Sequence, residues 1–281
     1  MFVPTEEKGE PKKKPKPDKS KAGGAGNEGV GTIVEVGSEV KRWKKGDRVL
    51  GPMDCRETNV CHQDRLWELG GIDPEQALAF EPAHVSIHCI REGNVRWGDS
   101  IAVVGLGAIG LIAVQMARAA GAENVFAVDL LPARRKLALD YGADEAFDPS
   151  ACDAALKIHE ATGGRGVDVA IEASGAYAAL NEAIRCTRVC GTVVSAGFYQ
   201  GEARAMHLGR EWHHNRISIV VPHGCGWGHP PRDYPGWDDR RASDTIVSMM
   251  RKGLLKTPGL IQPVVAIDEG PEIYRQITLN P

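Results

Sequence analysis

Residues 100–121 read SIAVVGLGAIGLIAVQMARAAG, and the fold class can be predicted from this segment. Residues 100–104 are mostly apolar, which predicts a buried strand. Gly105, Gly107 and Gly110 follow with the spacing Gly-x-Gly-x-x-Gly, and residues 111–120 then have the composition of a helix that a glycine closes. A glycine triplet between a strand and a helix is typical of the phosphate-binding turn of dinucleotide-binding proteins.

Each glycine of this turn has its own expected role. Gly105 permits the tight turn, Gly107 lets the backbone approach a pyrophosphate, and Gly110 lets the helix pack closely on the strand. The free N–H groups at the start of the helix, together with its partial positive charge, favour bound phosphates. We therefore predict a cofactor-binding turn made of Gly105, Leu106, Gly107, Ala108, Ile109 and Gly110.

Strands and helices alternate along the chain from Ser100 onward. The strands are apolar on both faces, which predicts a parallel sheet covered by helices on each side, an α/β Rossmann fold with a doubly wound sheet. The predicted strands are Ser100–Val104, Asn124–Val128, Glu145–Phe147, Val167–Glu172, Thr192–Ala196 and Ile217–Val221. The predicted helices between them are Leu111–Ala120, Pro132–Tyr141, Ala151–Thr162 and Leu180–Cys186.

Asp129 follows the second predicted strand, about 20 residues beyond the turn, where such folds place a carboxylate that bonds the adenosine ribose. That carboxylate would repel the 2′-phosphate of NADP(H), so we predict NAD(H) as the cofactor. Arg134, on the next helix, could stack on or bridge to the same ribose. The alternatives are a helix-capping aspartate beside a solvated arginine, or a methyltransferase, which also has a glycine-rich turn and an acidic residue after its second strand.

The chain before the Rossmann pattern has a different composition. Residues 27–49 contain short runs of β-branched residues separated by glycines, which predicts a small twisted barrel. Residues 75–91 suit a helix in two parts, interrupted at Pro82. Residues 1–21 include six lysines between Lys12 and Lys21 and no apolar residue in that run, so we expect this leader to be disordered.

The bulk composition excludes several functional classes. The net charge of −3 does not favour nucleic acid as a partner, and a solvated leader is the preferred interpretation of the lysines. No apolar run approaches the roughly 20 residues that a membrane helix needs, and the first residues do not resemble a secretory signal. The seven cysteines are irregularly spaced, which favours reduced thiols and a cytoplasmic protein.

Several motifs resemble one known family. Gly26-Asn27-Glu28-x-x-Gly31-x5-Gly37-x-x-Val40 resembles the zinc-type alcohol dehydrogenase signature of the medium-chain dehydrogenase/reductase superfamily, Gly-His-Glu-x-x-Gly-x5-Gly-x-x-Val. Gly46-Asp47-Arg48-Val49 resembles the turn that follows it, and Phe80-Glu81-Pro82 resembles a helix start in the sorbitol and threonine dehydrogenase branch. No four-cysteine lobe is present, as in branches without structural zinc.

The resemblance implies a domain plan. An incomplete GroES-like β-barrel catalytic domain would occupy residues 22–93, an NAD-binding Rossmann domain residues 94–222, and a segment returning to the catalytic domain residues 223–281, in a chain shortened at its N-terminus. Ser174 and Gly197 would line the nicotinamide end of the cofactor site. A small alcohol or carbonyl compound would be the substrate, and two copies would pair through Ile217–Val221 as a homodimer.

The departures from the signature concern the metal. The position of its zinc-binding histidine is Asn27, and no cysteine precedes it in the chain. Glu28 and Glu81 remain as candidate catalytic and metal-binding residues, but two carboxylates make a poor zinc site, so retention of zinc is doubtful. Glu81, His84 and His88 share one helical face and form a second candidate, although hydrogen-bonded interior histidines are the preferred interpretation. His223, Cys225 and His229 form a third, looser cluster.

Three functions therefore remain open. The leading one is an NAD-dependent alcohol or polyol dehydrogenase, in which a hydride passes between nicotinamide and a carbinol or carbonyl carbon. The alternative is a nucleotide-binding protein with lost or impaired catalysis, such as a degenerate or truncated dehydrogenase. A zinc-independent reductase of the quinone type is the third, and Asp129 weighs against it because such enzymes usually use NADPH.

Overall fold

Two separate β-sheets organise the protein, whose computed structural model describes residues 26–222 and 235–279. The larger sheet has six strands and the smaller has three. The lysine-rich leader at 1–21 and the cluster of His223, Cys225 and His229 lie outside the described residues. In the part of the chain that the structure describes, no helix has the length and apolar character that a bilayer crossing requires.

The strands of the larger sheet are β4 (Ser100–Val104), β5 (Asn124–Val128), β6 (Glu145–Phe147), β7 (Val167–Glu172), β8 (Thr187–Ser195) and β9 (Ser218–Val220). They are parallel throughout and lie in the order β6-β5-β4-β7-β8-β9. The helices between them are α3 (Ala108–Ala119), α4 (Pro132–Asp140), α5 (Ala154–Ala161), α6 (Tyr177–Cys186) and α7 (Glu211–His214). This order reverses direction beside β4, and the predicted doubly wound α/β fold is confirmed.

Alternate residues of β4 enter two different cores. Ile101 and Val103 belong to one hydrophobic cluster, and Ala102 and Val104 belong to the other. Because successive side chains of a strand point to opposite faces, both faces of the sheet are covered, as the apolar strands predicted.

Helix α3 begins at Ala108, three residues before the predicted start at Leu111. The last glycine of the turn, Gly110, therefore lies inside the helix. The sequence pattern alone excluded it because glycine is a poor helix former, whereas close packing against the turn requires it here.

The smaller sheet is antiparallel and contains β1 (Gly29–Thr32), β2 (Arg48–Gly51) and β3 (Trp67–Glu68). The β-branched run from Ile33 to Val40 forms no strand: β1 ends at Thr32, and Val34 beyond it is 65% exposed. The separate small sheet expected upstream of the Rossmann pattern is confirmed, whereas the domain boundaries at 22–93, 94–222 and 223–281 stay predictions.

Two helices follow the small sheet, α1 (Pro74–Ala77) and α2 (Phe80–Glu92). The predicted break at Pro82 is wrong, because the chain breaks at Leu78 and Ala79. Pro82 lies in the first turn of α2, where a missing backbone N–H interrupts no helical hydrogen bond.

The final described segment contains α8 (Asp239–Arg251) and α9 (Gly270–Leu279). Asp238 caps α8 by accepting a hydrogen bond from the backbone N–H of Arg241 at 2.8 Å. Asp244 of α8 accepts a 2.8 Å hydrogen bond from the indole Nε1 of Trp67. This bond fixes α8 to the small sheet, and α8 also packs against α2.

Candidate functional site

The glycine-rich turn is shaped by close contacts at its first and last glycines. Gly105 has a φ of 91°, a left-handed conformation that favours glycine, and a Cβ there would lie 2.7 Å from the backbone nitrogen of Ser174. A Cβ on Gly110 would overlap the carbonyl oxygen of Gly105. The turn can therefore keep this form only with glycine at both positions.

Gly107 differs from its neighbours because it faces open space. A Cβ there would have no protein atom within 4 Å among the described residues. Gly107 is also the N-cap residue of α3 and makes no side-chain capping bond, so the helix start presents backbone N–H groups outward. A phosphate group could approach the backbone at this point, as the spacing of the glycines predicted.

Asp129 connects the end of β5 to the turn. Its Oδ2 accepts a 2.7 Å hydrogen bond from the N–H of Leu106, and its Oδ1 accepts one of 2.8 Å from the N–H of Leu131. The guanidinium group of Arg134 lies near the same carboxylate, with its Nη1 atom 3.8 Å from Oδ2 of Asp129. Each carboxylate oxygen retains a further lone pair, so this fixed carboxylate can also accept bonds from a ligand hydroxyl.

Glu172, at the end of β7, organises the neighbouring loops. Its fully buried carboxylate accepts hydrogen bonds from the backbone N–H groups of Ser174 and Gly175, at 2.7 and 3.1 Å. The hydroxyl groups of Ser174 and Tyr199 also donate to it. Burial and the adjacent Glu172 carboxylate raise the pKa of the Tyr199 hydroxyl above its usual range. The sequence indicated no role for Glu172 or Tyr199.

Ser174 and Gly197 come together at the same edge of the sheet as the glycine-rich turn. Ser174 touches the turn at Gly105, and a Cβ on Gly197 would overlap the backbone of Gly175. The N–H of Gly197 also donates a 3.1 Å hydrogen bond to the carbonyl of Glu172. The carboxyl ends of β4, β7 and β8 thus meet at one edge, where parallel sheets bind ligands.

A cleft of about 890 Å³ lies between the small sheet, α2 and the start of α8. Asn27, Glu28 and Glu81 all line it, as do His84 and Asp239. The two predicted carboxylates therefore share one cavity, although they come from different elements. Other polar groups in its wall are Asp54, Asn59, Cys61, Asp64, Arg65, Arg240 and Ser243.

Glu28 and Glu81 both hold their protons more tightly than ordinary carboxyl groups. Burial raises the pKa of Glu28 from 4.5 to about 8, and the nearby Glu81 charge adds to the effect. Burial also raises the pKa of Glu81. The Oε1 atom of Glu28 is buried without a hydrogen-bond partner among the described residues. A carboxyl group in this state can exchange a proton near neutral pH.

His84 and His88 point toward Asp239 at the start of α8. One ligand atom from each of these three residues lies within 4.8 Å of the other two. The two imidazole rings meet edge to face, with centroids 5.0 Å apart. Burial lowers the pKa of His84 against the opposing charge of Asp239, which favours the neutral imidazole. The grouping predicted from the helix face included Glu81, whereas the structure groups the histidines with Asp239.

Comparison with known proteins adds family and fold relatives. Residues 108–240 match the family model described as zinc-binding dehydrogenase, and residues 7–77 match the alcohol dehydrogenase GroES-like domain. The D-guloside 3-dehydrogenase of Escherichia coli (strain K12) is 38% identical over 255 residues, which cover 89% of this chain and 72% of the relative.

Two solved structures are also similar. The 2R,3R-butanediol dehydrogenase of Bacillus subtilis is 27% identical, with a TM-score of 0.68 over 83% of this chain and 71% of that one. A structure from Sinorhizobium meliloti 1021, described as a zinc-binding dehydrogenase bound to NADP, is 25% identical, with a TM-score of 0.71 over 89% and 78% of the two chains.

Proposed function

The chain belongs to the zinc-type alcohol dehydrogenase family of medium-chain dehydrogenases, and we propose that it is an NAD-dependent oxidoreductase acting on an alcohol or carbonyl substrate. The observation that carries the proposal is the open backbone at Gly107 beside the fixed carboxylate of Asp129. The first accommodates a pyrophosphate and the second a ribose. The alternative of a protein without turnover has no support in its relatives, which are named as dehydrogenases.

NAD(H) is the proposed cofactor. Asp129 would place a negative charge where NADP(H) carries its 2′-phosphate, and that repulsion favours NAD(H). Arg134 reduces this effect only in part, because its Nη1 lies 3.8 Å from Oδ2 and its side chain is half exposed. The similar Sinorhizobium meliloti structure is bound to NADP, so cofactor preference is the first property to measure.

The proposed substrate is a polyol or a sugar-derived alcohol. Asp54, Asn59 and Asp64 supply hydrogen-bonding groups along the cleft wall, and such groups suit a molecule with several hydroxyls. Trp67 and Phe80 add an apolar face on which a sugar ring could lie. The name of the Escherichia coli relative, a D-guloside 3-dehydrogenase, supports this class.

The family description implies a zinc ion, but the residues at the signature positions do not fit one. Asn27, Glu28 and Glu81 offer only oxygen or amide atoms, whereas catalytic zinc prefers imidazole and thiolate ligands. The raised pKa of Glu28 also favours a protonated carboxyl at neutral pH, which is a poor ligand. We therefore derive no catalytic step through zinc at these positions.

The Glu28–Glu81 pair is proposed to handle the proton instead. Bound nicotinamide supplies the hydride chemistry. When an alcohol is oxidised, its carbinol hydrogen would pass as a hydride to NAD⁺, and its hydroxyl proton would pass to the member of the carboxyl pair that is ionised. In the reverse direction the pair returns that proton to the carbonyl oxygen. Raised pKa values suit both directions near neutral pH.

Steady-state kinetics with a panel of polyols, sugar glycosides and simple alcohols tests the proposal. We expect turnover with NAD and a polyhydroxylated substrate, and loss of most of kcat in Glu28→Gln or Glu81→Gln without loss of NADH binding. Substitution by Gln of Glu123, which is exposed and does not line the cleft, is the matched control. NADH binding without turnover on any alcohol would contradict the enzymatic proposal. We also propose that the protein is cytoplasmic and forms a homodimer.

A further inference from the structure

The two histidines of α2 and the first residue of α8 form a compact donor cluster. His84 and His88 are four residues apart, so they lie one turn apart on the same helical face. Asp239 approaches them from α8, and the three ligand atoms lie within 4.8 Å of one another. Both histidines are buried. None of the three belongs to the family's zinc signature, whose zinc-binding histidine corresponds to Asn27 in this chain.

Asp239 carries the strongest sign that this cluster is a binding site. Its Oδ1 atom is buried without a hydrogen-bond partner among the described residues. Burying a carboxylate oxygen in this way is costly unless a donor or a cation satisfies it. The adjacent Arg240 points elsewhere, since its Nε lies 3.0 Å from Asp244 and its Nη1 donates to the carbonyl of Asp64 at 2.9 Å.

The chemistry of the donors selects the ligand class. Two imidazoles and one carboxylate form the nitrogen-rich set that zinc and neighbouring divalent transition metals bind, whereas Mg²⁺ and Ca²⁺ prefer oxygen ligands. Around tetrahedral zinc, ligand atoms lie roughly 3.3 Å apart, as bonds of about 2.0–2.1 Å require. Side-chain rotations that move each atom by about 1 Å would close the cluster to that size.

We propose that His84, His88 and Asp239 bind one divalent transition metal ion, with zinc as the best fit, and that the ion ties α8 to α2. His84 and Asp239 also line the cleft, through which the ion would enter. The site stands independently of the proposed dehydrogenase activity, because it uses neither the cofactor turn nor the Glu28–Glu81 pair.

Cobalt titration of the tag-free full-length protein, after removal of bound metal by a chelator, tests the site directly. We expect one equivalent of Co²⁺ to give the visible absorption of a tetrahedral nitrogen–oxygen site, and stoichiometric Zn²⁺ to abolish it. Asp239→Asn and His84→Gln should each weaken the affinity by more than about tenfold. Asp238→Asn is the matched control, because it changes the neighbouring carboxylate and asparagine still caps a helix.

Thermal unfolding gives a second measurement that does not depend on the cobalt spectrum. Zn²⁺ should raise the Tm of the wild-type protein and of Asp238→Asn, but not that of Asp239→Asn or His84→Gln. Two results would overturn the proposal: absence of metal binding by folded wild-type protein at micromolar concentrations, or wild-type affinity in both cluster variants. Loss of metal only in Glu28→Gln and Glu81→Gln would place the ion at the signature positions and would also overturn it.

Discussion

The Oδ2 atom of Asp129 accepts a 2.7 Å hydrogen bond from the backbone N–H of Leu106, so the carboxylate at the end of β5 holds the glycine-rich turn after β4. Asp129 therefore has two roles that a substitution can separate. One is to brace the backbone by accepting hydrogen bonds from the N–H groups of Leu106 and Leu131, and the other is to set a negative charge beside the bound ribose. Asparagine removes the charge and keeps only one acceptor oxygen, so it can accept only one of these two bonds.

Asp129→Asn should change cofactor preference and also lower stability by about 1–3 kcal/mol, because one backbone N–H loses its acceptor. We expect NADH affinity to fall about tenfold, equivalent to about 1.4 kcal/mol, and the NADPH-to-NADH ratio of kcat/KM to rise. Fluorescence titration with each cofactor measures the affinities, and urea unfolding measures stability. Asp140→Asn, which changes an exposed carboxylate paired with Lys136, is the matched control. An unchanged cofactor ratio in Asp129→Asn would argue against a ribose contact.

Gly107→Ala should lower the affinity for NADH, whereas Gly110→Ala should lower the stability of the protein. A methyl group on Gly107 meets open space, so the protein should fold normally while a bound pyrophosphate is displaced and NADH affinity falls by about tenfold or more. A methyl group on Gly110 would overlap Gly105, which should reduce the free energy of unfolding by about 1–3 kcal/mol or more. Urea unfolding and NADH titration of both variants distinguish the two cases. Equal loss of stability in both would contradict the assignment of Gly107.

The glycine-rich turn was predictable because its signals are local in the chain. The spacing of Gly105, Gly107 and Gly110 is a weak signal alone, but the pattern of apolar residues on either side predicts the strand and the helix that give it meaning. The start of α3 was misplaced because glycine propensity argues against helix at Gly110, and the tertiary contact with Gly105 overrides it.

The contacts across the cleft were not predictable in the same way. Asp239 joins His84 and His88 from a helix far along the chain, so no spacing rule brings the three together. The sequence pattern likewise indicates only that Glu172 ends a strand. The folded structure is needed to show that the hydroxyl groups of Ser174 and Tyr199 donate hydrogen bonds to it. Helical periodicity instead grouped Glu81 with the histidines, because it contains no information about neighbouring elements.

Glu28 should make stability depend on pH between about 5 and 8. The folded protein keeps the Glu28 proton up to about pH 8, whereas the unfolded chain releases it near 4.5. Between these values the folded state binds more protons, so the free energy of unfolding falls as pH rises, by up to about 1.4 kcal/mol per pH unit. Glu28→Gln removes this contribution, so it should become more stable relative to wild type as pH rises.

Urea unfolding of the wild-type protein and Glu28→Gln at pH 5, 6, 7 and 8 measures this difference. The contribution of Glu28 should be fully present below pH 4.5 and lost as pH rises through the folded pKa. Glu123→Gln, at an exposed glutamate, should follow the wild-type curve. A constant difference between Glu28→Gln and wild type across this pH range would show that Glu28 is ionised in the folded protein.

Strand β9 should mediate pairing of two copies of the chain. It lies at one end of the six-stranded order; Ile219 within it is 37% exposed, and Val221 directly after it is 57% exposed. An exposed apolar edge strand favours pairing with another strand, so we expect a dimer that Ile219→Lys converts to monomer. Leu139→Lys, at an exposed leucine of α4, should remain dimeric. Light scattering coupled to size-exclusion chromatography measures both, and a wild-type protein that stays monomeric at high micromolar concentration would refute the pairing.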